Sequence, residues 1–235
     1  MSSQKTASNG NINVAIDGPA GAGKSTVARK VAEALEYVYI DTGAMYRAVS
    51  WYMIRNDILP EHVEEVEHHV KNLVIDLVPD AGGQKVYCNG EDVTTVIRSL
   101  EVTNVVSLYA SIESVRTHLV QNQRQMALRK GVVMDGRDIG TTVLPDAEVK
   151  IFMTASVQER ALRRFKELGD SFDITLEQLE KDIANRDKLD EEREISPLRC
   201  SEDAIVLDTT HMSIPEVVET IAAYCRAARD GENRS

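Results

Sequence analysis

The segment Gly18–Ser25 reads Gly-Pro-Ala-Gly-Ala-Gly-Lys-Ser and fits the phosphate-binding pattern Gly-x4-Gly-Lys-Ser/Thr at every fixed position. The apolar run Ile12–Ile16 before this P-loop predicts a buried strand, and Thr26–Glu36 after it predicts a helix. Such glycines let backbone N–H groups surround a phosphate, and a helix N-terminus favours an anion. We expect Lys24 to reach the β- and γ-phosphates and the Ser25 hydroxyl to ligate Mg2+. The predicted ATP-binding residues are Gly18, Pro19, Ala20, Gly21, Ala22, Gly23, Lys24, Ser25 and Thr26.

The composition restricts the class of protein. With 235 residues, the chain is long enough for one α/β domain with insertions. The net charge of −11 argues against a nucleic-acid-binding surface, and no apolar run of about 18 residues predicts a membrane span. The cysteines, Cys88, Cys200 and Cys225, lack metal-binding or redox spacing, which is typical of a cytoplasmic protein. Residues 1–11 and 229–235 are predicted to be disordered tails.

Short apolar runs alternate with helical segments, which predicts an α/β fold with helices on both faces of a parallel sheet. The five predicted strands are Ile12–Ile16, Tyr37–Ile40, Val132–Met134, Val149–Met153 and Ala204–Leu207.

One stretch breaks this alternation. Leu73–Pro79 and Lys85–Tyr87 are predicted strands around a turn at Ala81–Gly83, and a second turn follows at Asn89-Gly90. We therefore expect a small antiparallel unit, inserted at about residues 58–110.

Two segments carry chemistry beyond the P-loop. Asp41–Arg47 follows a predicted strand and starts a helix, so Thr42 and the helix-start amides can hold a polar ligand and Arg47 can fork onto a phosphate. A simple helix cap beside a surface arginine explains the same segment. Met134–Thr141 follows another strand, where open α/β sheets bind ligands, and its Asp135 can support hydrated Mg2+. A turn explains Asp135 and the next glycine, but not the Arg-Asp pair that follows.

A third segment, Asn185–Arg193, predicts a helix on which Arg186, Asp190 and Arg193 share one face. A solvated helix with charges four residues apart explains this segment equally well. The functional interpretation is a lid that brings arginines over transferring phosphates. On the preceding predicted helix, three arginines also share a face and could brace the lid or contact the nucleotide. These are Arg160, Arg163 and Arg164.

The chain resembles the bacterial cytidylate kinases, which are P-loop nucleoside monophosphate kinases. The resemblance rests on four features that occur in this order: the P-loop with its preceding Asp17, the two strand-end segments and the arginine helix. The resemblance covers about residues 12–228. It implies one kinase unit whose core comprises about 12–57, 111–155 and 200–228. It also implies a monophosphate-binding insertion at about 58–110 and a short helical lid region at about 156–199.

The resemblance also implies roles for individual residues. Catalytic roles fall on Lys24, Arg137, Arg186 and Arg193. The implied acceptor-binding residues are Thr42, Tyr46, Arg47, Ser107, Arg116, Arg137, Asp138, Arg186 and Asp190. The implied ligands of Mg2+, bound with ATP, are Ser25 and Asp135.

The implied activity is ATP-dependent phosphorylation of CMP and dCMP in the cytoplasm, by a monomer with no nucleic-acid or membrane partner. Ser107, Arg116 and Asp138 match cytosine-reading positions; a carboxylate accepts well from the cytosine N4 amino group, whereas uracil presents an O4 acceptor there. A P-loop kinase for UMP or for a metabolite such as shikimate is the alternative. A guanine-dependent switch would need an Asn-Lys-x-Asp segment, which the sequence lacks.

Overall fold

The computed structural model describes residues 10–80, 83–168 and 174–232. Two sequence predictions lie outside the described residues: the disorder of residues 1–9 and 233–235, and the turn at Ala81 and Gly82. At the edges of the predicted tails the structure differs from expectation. Gly10 is buried, and the final helix continues through Glu232 because the helix formers before Asp230 extend it. Within the described ranges, no helix is long and apolar enough to cross a membrane.

The core is a five-stranded sheet, and all of its paired strands are parallel. The strands are β1 Asn13–Asp17, β2 Val38–Asp41, β6 Val132–Gly136, β7 Val149–Thr154 and β8 Ile205–Asp208. They lie in the order β2-β6-β1-β7-β8, which confirms the predicted sheet, with strand ends shifted by one or two residues.

Helices cover both faces of this sheet, because its inner strands are apolar on both sides. Alternation along β1 sends Val14 and Ile16 to one face, where they pack with α1 (Lys24–Leu35) and α8 (Ile214–Glu232). Ala15 points to the other face, against α5 (Glu113–Ala127). The carboxyl ends of β1, β2 and β6 therefore meet at one edge of a rigid, doubly covered sheet.

Between β2 and α5 lies a second layer with its own apolar cluster. Its elements are α2 Thr42–Arg55, α3 Val63–Val70, β3 Ile75–Asp80, β4 Gly83–Cys88, β5 Glu91–Asp92, a 3-10 turn Val96–Arg98 and α4 Leu100–Ala110. The three strands form an antiparallel sheet in the order β3-β4-β5, as the sequence predicted. Buried side chains of α2, α3, β4 and α4 pack together there, among them Met53, Val66, Val86 and Tyr109.

The remaining helices, α6 (Val157–Leu168) and α7 (Leu176–Glu192), pack on each other through a small apolar cluster. The hydroxyl of Thr175 caps α7 by accepting a 3.2 Å bond from Gln178 N, and Ser156 does the same for α6. The expectation that Arg193 shares a helical face with Arg186 is wrong. The helix ends at Glu192, and Arg193 has extended backbone angles.

Candidate active site

The P-loop joins β1 to α1 along a path that requires glycine at its first position. Gly18 has φ 147°, and a Cβ there would lie 2.0 Å from the carbonyl oxygen of Met153 on β7. The loop therefore runs directly over the neighbouring strand, and its amides gather at the N-terminus of α1. This is the strand–loop–helix setting that the sequence predicted, and it suits an anion.

Lys24 is buried at the start of α1, and its Nζ donates a 2.7 Å hydrogen bond to the carbonyl oxygen of Pro19. Burial and the nearby Arg137 guanidinium lower the pKa of Lys24 well below its ordinary value, against the opposing effect of Asp135 and Asp17. An anionic ligand beside the amine would stabilise its charged form. The geometry thus makes Lys24 a buried cation aimed into the P-loop.

Asp135 lies at the carboxyl end of β6, beside the P-loop. Ser25 Oγ donates a 2.9 Å hydrogen bond to Asp135 Oδ2, and the Tyr39 hydroxyl donates a 2.9 Å bond to Oδ1. Burial and the neighbouring Asp41 raise the pKa of Asp135 to about 6. The predicted pair Ser25 and Asp135 is therefore in direct contact and presents only oxygen atoms.

The polar groups on α2 sit at the same edge of the sheet. Thr42 Oγ1 donates a 2.6 Å bond to the carbonyl oxygen of Asp135, so its hydroxyl hydrogen is already engaged. Arg47 Nη1 donates to Thr103 Oγ1 at 2.8 Å, and burial, together with Arg186, lowers the pKa of Arg47 to about 9. Arg47 is thus a partly desolvated cation that a phosphate would stabilise.

Asp138 is buried between two arginines from different parts of the chain. Its carboxylate accepts from Nη2 of Arg116 on α5 and lies 3.6 Å from Nη2 of Arg193. The Arg116 guanidinium also lies over the ring of Tyr46, 5.3 Å from its centroid. Three residues of the implied acceptor site, Tyr46, Arg116 and Asp138, therefore form one cluster.

A second cluster joins α7 to the loop after β6. Asp190 accepts a 2.9 Å bond from Arg137 Nε and a 3.4 Å bond from Ser107 Oγ on α4. Burial and the nearby Arg137 lower the pKa of Arg186 to about 10. Among the described residues, several buried polar atoms that belong to these two clusters have no hydrogen-bond partner. They are Tyr46 Oη, Arg116 Nε, Arg186 Nε and Arg193 Nη2.

Six cations thus converge in a chain whose net charge is −11. Five of them come from segments that the sequence singled out, and Arg116 was implied only by the family resemblance. A local concentration of buried and half-buried positive charge in an acidic protein is an anion site. The six residues are Lys24, Arg47, Arg116, Arg137, Arg186 and Arg193. Of the three arginines predicted on α6, Arg163 bonds Thr209 and Glu159, and Arg164 bonds Glu167.

The family model for cytidylate kinase matches residues 14–227. The chain belongs to the cytidylate kinase family. Cytidylate kinases of Bacillus thuringiensis (strain Al Hakam), Bacillus cereus (strain AH187) and Bacillus anthracis (strain A0248) are each 56% identical to it over 211 residues, covering 89% of this chain and 94% of theirs. Family membership makes the chain a kinase, and it confirms the resemblance drawn from the motifs.

Solved structures share the fold at low sequence identity. A gluconokinase from Sinorhizobium meliloti has a TM-score of 0.50 and 15% identity, covering 96% of this chain and 98% of its own. An uncharacterized protein from Eubacterium ventriosum has a TM-score of 0.50 and 13% identity, covering 92% of this chain and 99% of its own. At such low identity, these likenesses show the fold alone.

The sequence motifs did not indicate two residues at this cytidylate kinase family site, Tyr39 and Asp187. Tyr39 bonds Asp135, and its position two residues before the end of β2 was the available signal. Arg160 was predicted, with two other arginines of its helix, to brace the lid or contact the nucleotide, but its bond to Asp187 was not predicted. Asp187 was not noticed, although it bonds both Arg160 and the P-loop. Residues this far apart in the chain carry no shared local pattern.

Proposed function

We propose that this chain transfers the γ-phosphoryl group of ATP to CMP and to dCMP, giving CDP and dCDP. The observation that carries the proposal is the convergence of the six cations with Asp135 and Asp138 at one edge of the sheet, in a member of the cytidylate kinase family. A phosphoryl transfer between two nucleotides brings at least four phosphate groups together. That much negative charge requires a surface of this kind.

On the donor side, the P-loop amides and Lys24 are the proposed ligands of the β- and γ-phosphates. The proposed Mg2+ ligands are Ser25 and Asp135, whose oxygen atoms fit a hard cation. Across residues 10–80, 83–168 and 174–232, no cluster of three or more His, Cys, Asp or Glu could hold a metal ion. That suits an ion bound by one or two protein oxygens together with ATP phosphates. Mg2+ would neutralise charge on those phosphates.

On the acceptor side, we assign the phosphate of CMP to Arg47 and the cytosine ring to Asp138, Arg116 and Ser107. The two arginines beside Asp138 pair with its carboxylate and hold it in place, so it can accept from the N4 amino group. Uracil would place an acceptor against that carboxylate and leave both groups unpaired. Discrimination therefore comes from the penalty on an unpaired buried polar group.

The chemical step needs no general base, because the acceptor phosphate is already an anion. Its oxygen attacks the γ-phosphorus in line; a new P–O bond forms as the bond to the β-phosphate oxygen breaks, and ADP leaves with that electron pair. Lys24, Arg137, Arg186 and Arg193 are proposed to neutralise the charge on the transferring group. Catalysis is then positioning together with electrostatic stabilisation.

The family also supports a division of labour along the chain. We assign a share of acceptor binding, through Ser107, to the inserted unit at about 58–110, and water exclusion to a lid at about 156–199. The core at about 12–57, 111–155 and 200–228 carries Arg47, Arg116 and Asp138. Exclusion of water matters because water would otherwise accept the phosphoryl group from ATP. A monomer acting in the cytoplasm, without nucleic-acid or membrane partners, completes the proposal.

A coupled assay of ADP formation tests the proposal, with ATP-Mg2+ and a panel of CMP, dCMP, UMP, AMP, GMP and shikimate. We expect kcat/KM for CMP and dCMP to exceed that for the other acceptors by well over tenfold. If UMP, another nucleotide or shikimate matched CMP, the base-reading assignment would be wrong, although the P-loop chemistry would stand. Omitting Mg2+ should abolish ADP formation with every acceptor.

A further inference from the structure

Arg160 and Asp187 tie the two helices α6 and α7 to the backbone of the P-loop. Arg160 Nη1 donates to Asp187 Oδ2 at 2.6 Å and to the carbonyl oxygen of Ala20 at 2.8 Å. Asp187 Oδ1 accepts a 3.1 Å bond from the amide of the same Ala20. Both backbone groups of one P-loop residue are therefore bound by this pair, and both side chains are buried.

The packing around the pair shows the same approach. A Cβ at Gly21, the next P-loop residue, would lie 3.3 Å from Arg160 Cβ and 3.7 Å from Ile183 Cδ1. Ile183 and Asp187 are four residues apart, so one face of α7 rests on the loop. Arg186 adjoins Asp187 in the chain, and Asp190 follows one turn later. The position of α7 on the P-loop thus determines where Arg186 and Asp190 lie.

We propose that Arg160 and Asp187 are positioning residues for phosphoryl transfer, which hold α7 at a fixed register over the P-loop. This inference rests on the proposed function. A buried ion pair is a poor source of stability, because both charges lose their hydration. The apolar contacts of Ala161, Leu179 and Ile183 already join α6 to α7. The ion pair adds directional bonds to the loop that binds phosphate, and a displacement of about 1 Å in such a site can cost roughly a hundredfold in rate.

The test compares Asp187→Ala with Asp182→Ala, an exposed carboxylate on the same helix. We expect Asp187→Ala to lower kcat by about tenfold or more, with a smaller change in the KM for CMP. The reason is that the change displaces Arg186 but leaves the acceptor site in place. The fraction of ATP lost to water rather than to CMP should rise, since α7 belongs to the proposed lid. Asp182→Ala should behave like the unmodified enzyme.

A second variant, Arg160→Met/Asp187→Leu, removes the bonds without leaving one charge buried alone. We expect this double variant to melt at a temperature closer to that of the unmodified protein than Asp187→Ala does. Its kcat should remain as low as that of Asp187→Ala. If Asp187→Ala lowered kcat only because the protein was less stable, the double variant would recover kcat together with the melting temperature. This variant also decides the question if Asp187→Ala does not fold.

Amide hydrogen exchange of α7 gives a readout that is independent of the acceptor. We expect faster exchange over residues 183–190 in both variants than in Asp182→Ala. If exchange and kcat equalled those of the control, or if exchange rose without any loss of kcat, the proposal would be overturned. If the unmodified protein preferred UMP or shikimate to CMP, the proposed function would fail instead, and the same variants would be assayed with that acceptor.

Discussion

The carboxylate of Asp17, at the end of β1, accepts a 2.7 Å hydrogen bond from the amide of Gly140, which lies 123 residues further along the chain. Its other oxygen accepts a 2.8 Å bond from the amide of Ile139. These bonds fix the helical turn Ile139–Val143 that follows Asp138. One buried side chain therefore sets the direction in which Asp138 leaves the sheet.

This contact makes stability depend on pH. Burial raises the pKa of Asp17 to about 6 from an ordinary 3.8, although the two amide bonds oppose the rise. The folded chain thus holds this proton in an interval where the unfolded chain has lost it. The contribution of Asp17 to stability is therefore full below about pH 4 and is lost as the pH rises through 6. Asn cannot titrate, so the variant does not lose this contribution as the pH rises. Between pH 4 and 7 we therefore expect the free energy of unfolding of Asp17→Asn to rise, relative to that of the unmodified protein, by roughly 3 kcal/mol or less.

Urea unfolding at several pH values measures this difference. The Asn side chain places an N–H donor against one of the two backbone amides. This adds a constant to the difference in unfolding free energy, and that constant does not change with pH. Titrating groups that do not interact with Asp17 contribute equally to the stability of both proteins. A difference in unfolding free energy that stayed constant from pH 4 to 7 would show that Asp17 titrates alike in the folded and unfolded chains.

Lys24→Met should separate activity from stability. We expect turnover to fall by roughly a hundredfold or more, about 3 kcal/mol, because one contact to the transferring phosphoryl group is lost. The melting temperature should change little: the variant loses the bond to Pro19 but also removes a buried charge whose pKa burial lowers. Single-turnover kinetics measures the expected loss of turnover, and thermal unfolding measures the melting temperature. Near-normal turnover in a folded variant would reject Lys24 as a catalytic residue.

The sheet and the P-loop could be read from the sequence because apolar runs and glycine spacing are local patterns. The end of α7 could not. Charged helix formers continue through Glu192 with no glycine stop, yet Arg193 turns away and bonds the carbonyl oxygen of Ser196. Pro197 disfavours a helical Ser196, which was the one available signal. The Asp187 contact with Ala20 spans 167 residues and leaves no local trace.

Asp138→Ala should reduce the preference for CMP over UMP. Removal of the carboxylate takes away both the acceptor for the cytosine N4 group and the unpaired group that rejects uracil. We expect the ratio of the two kcat/KM values to fall by about tenfold or more, the scale on which one buried polar contact discriminates. Asp146→Ala, an exposed carboxylate in the same β6–β7 connection, is the control. An unchanged ratio would exclude Asp138 as the residue that reads the base.

Gln84 on β4 binds the outer edge of β2 as a neighbouring strand would. Its Oε1 accepts a 3.1 Å bond from Asp41 N, and its Nε2 donates a 2.7 Å bond to the carbonyl oxygen of Tyr39. Arg98, after β5, reinforces the same junction through a 3.1 Å ion pair with Asp41. The inserted unit is therefore joined to the strand that precedes the acceptor-side residues of α2.

Gln84→Leu leaves two backbone groups of β2 without these partners, so we expect it to lower the free energy of unfolding by about 1–3 kcal/mol. The KM for CMP should rise several-fold with a smaller change in kcat, because α4 of the inserted unit also holds Arg47 through Thr103. Gln125→Leu, an exposed glutamine on α5, controls for the added apolar side chain. Urea unfolding and acceptor titrations decide the matter. A KM that matched the control despite a loss of stability would mean that the junction supports the fold without positioning the acceptor.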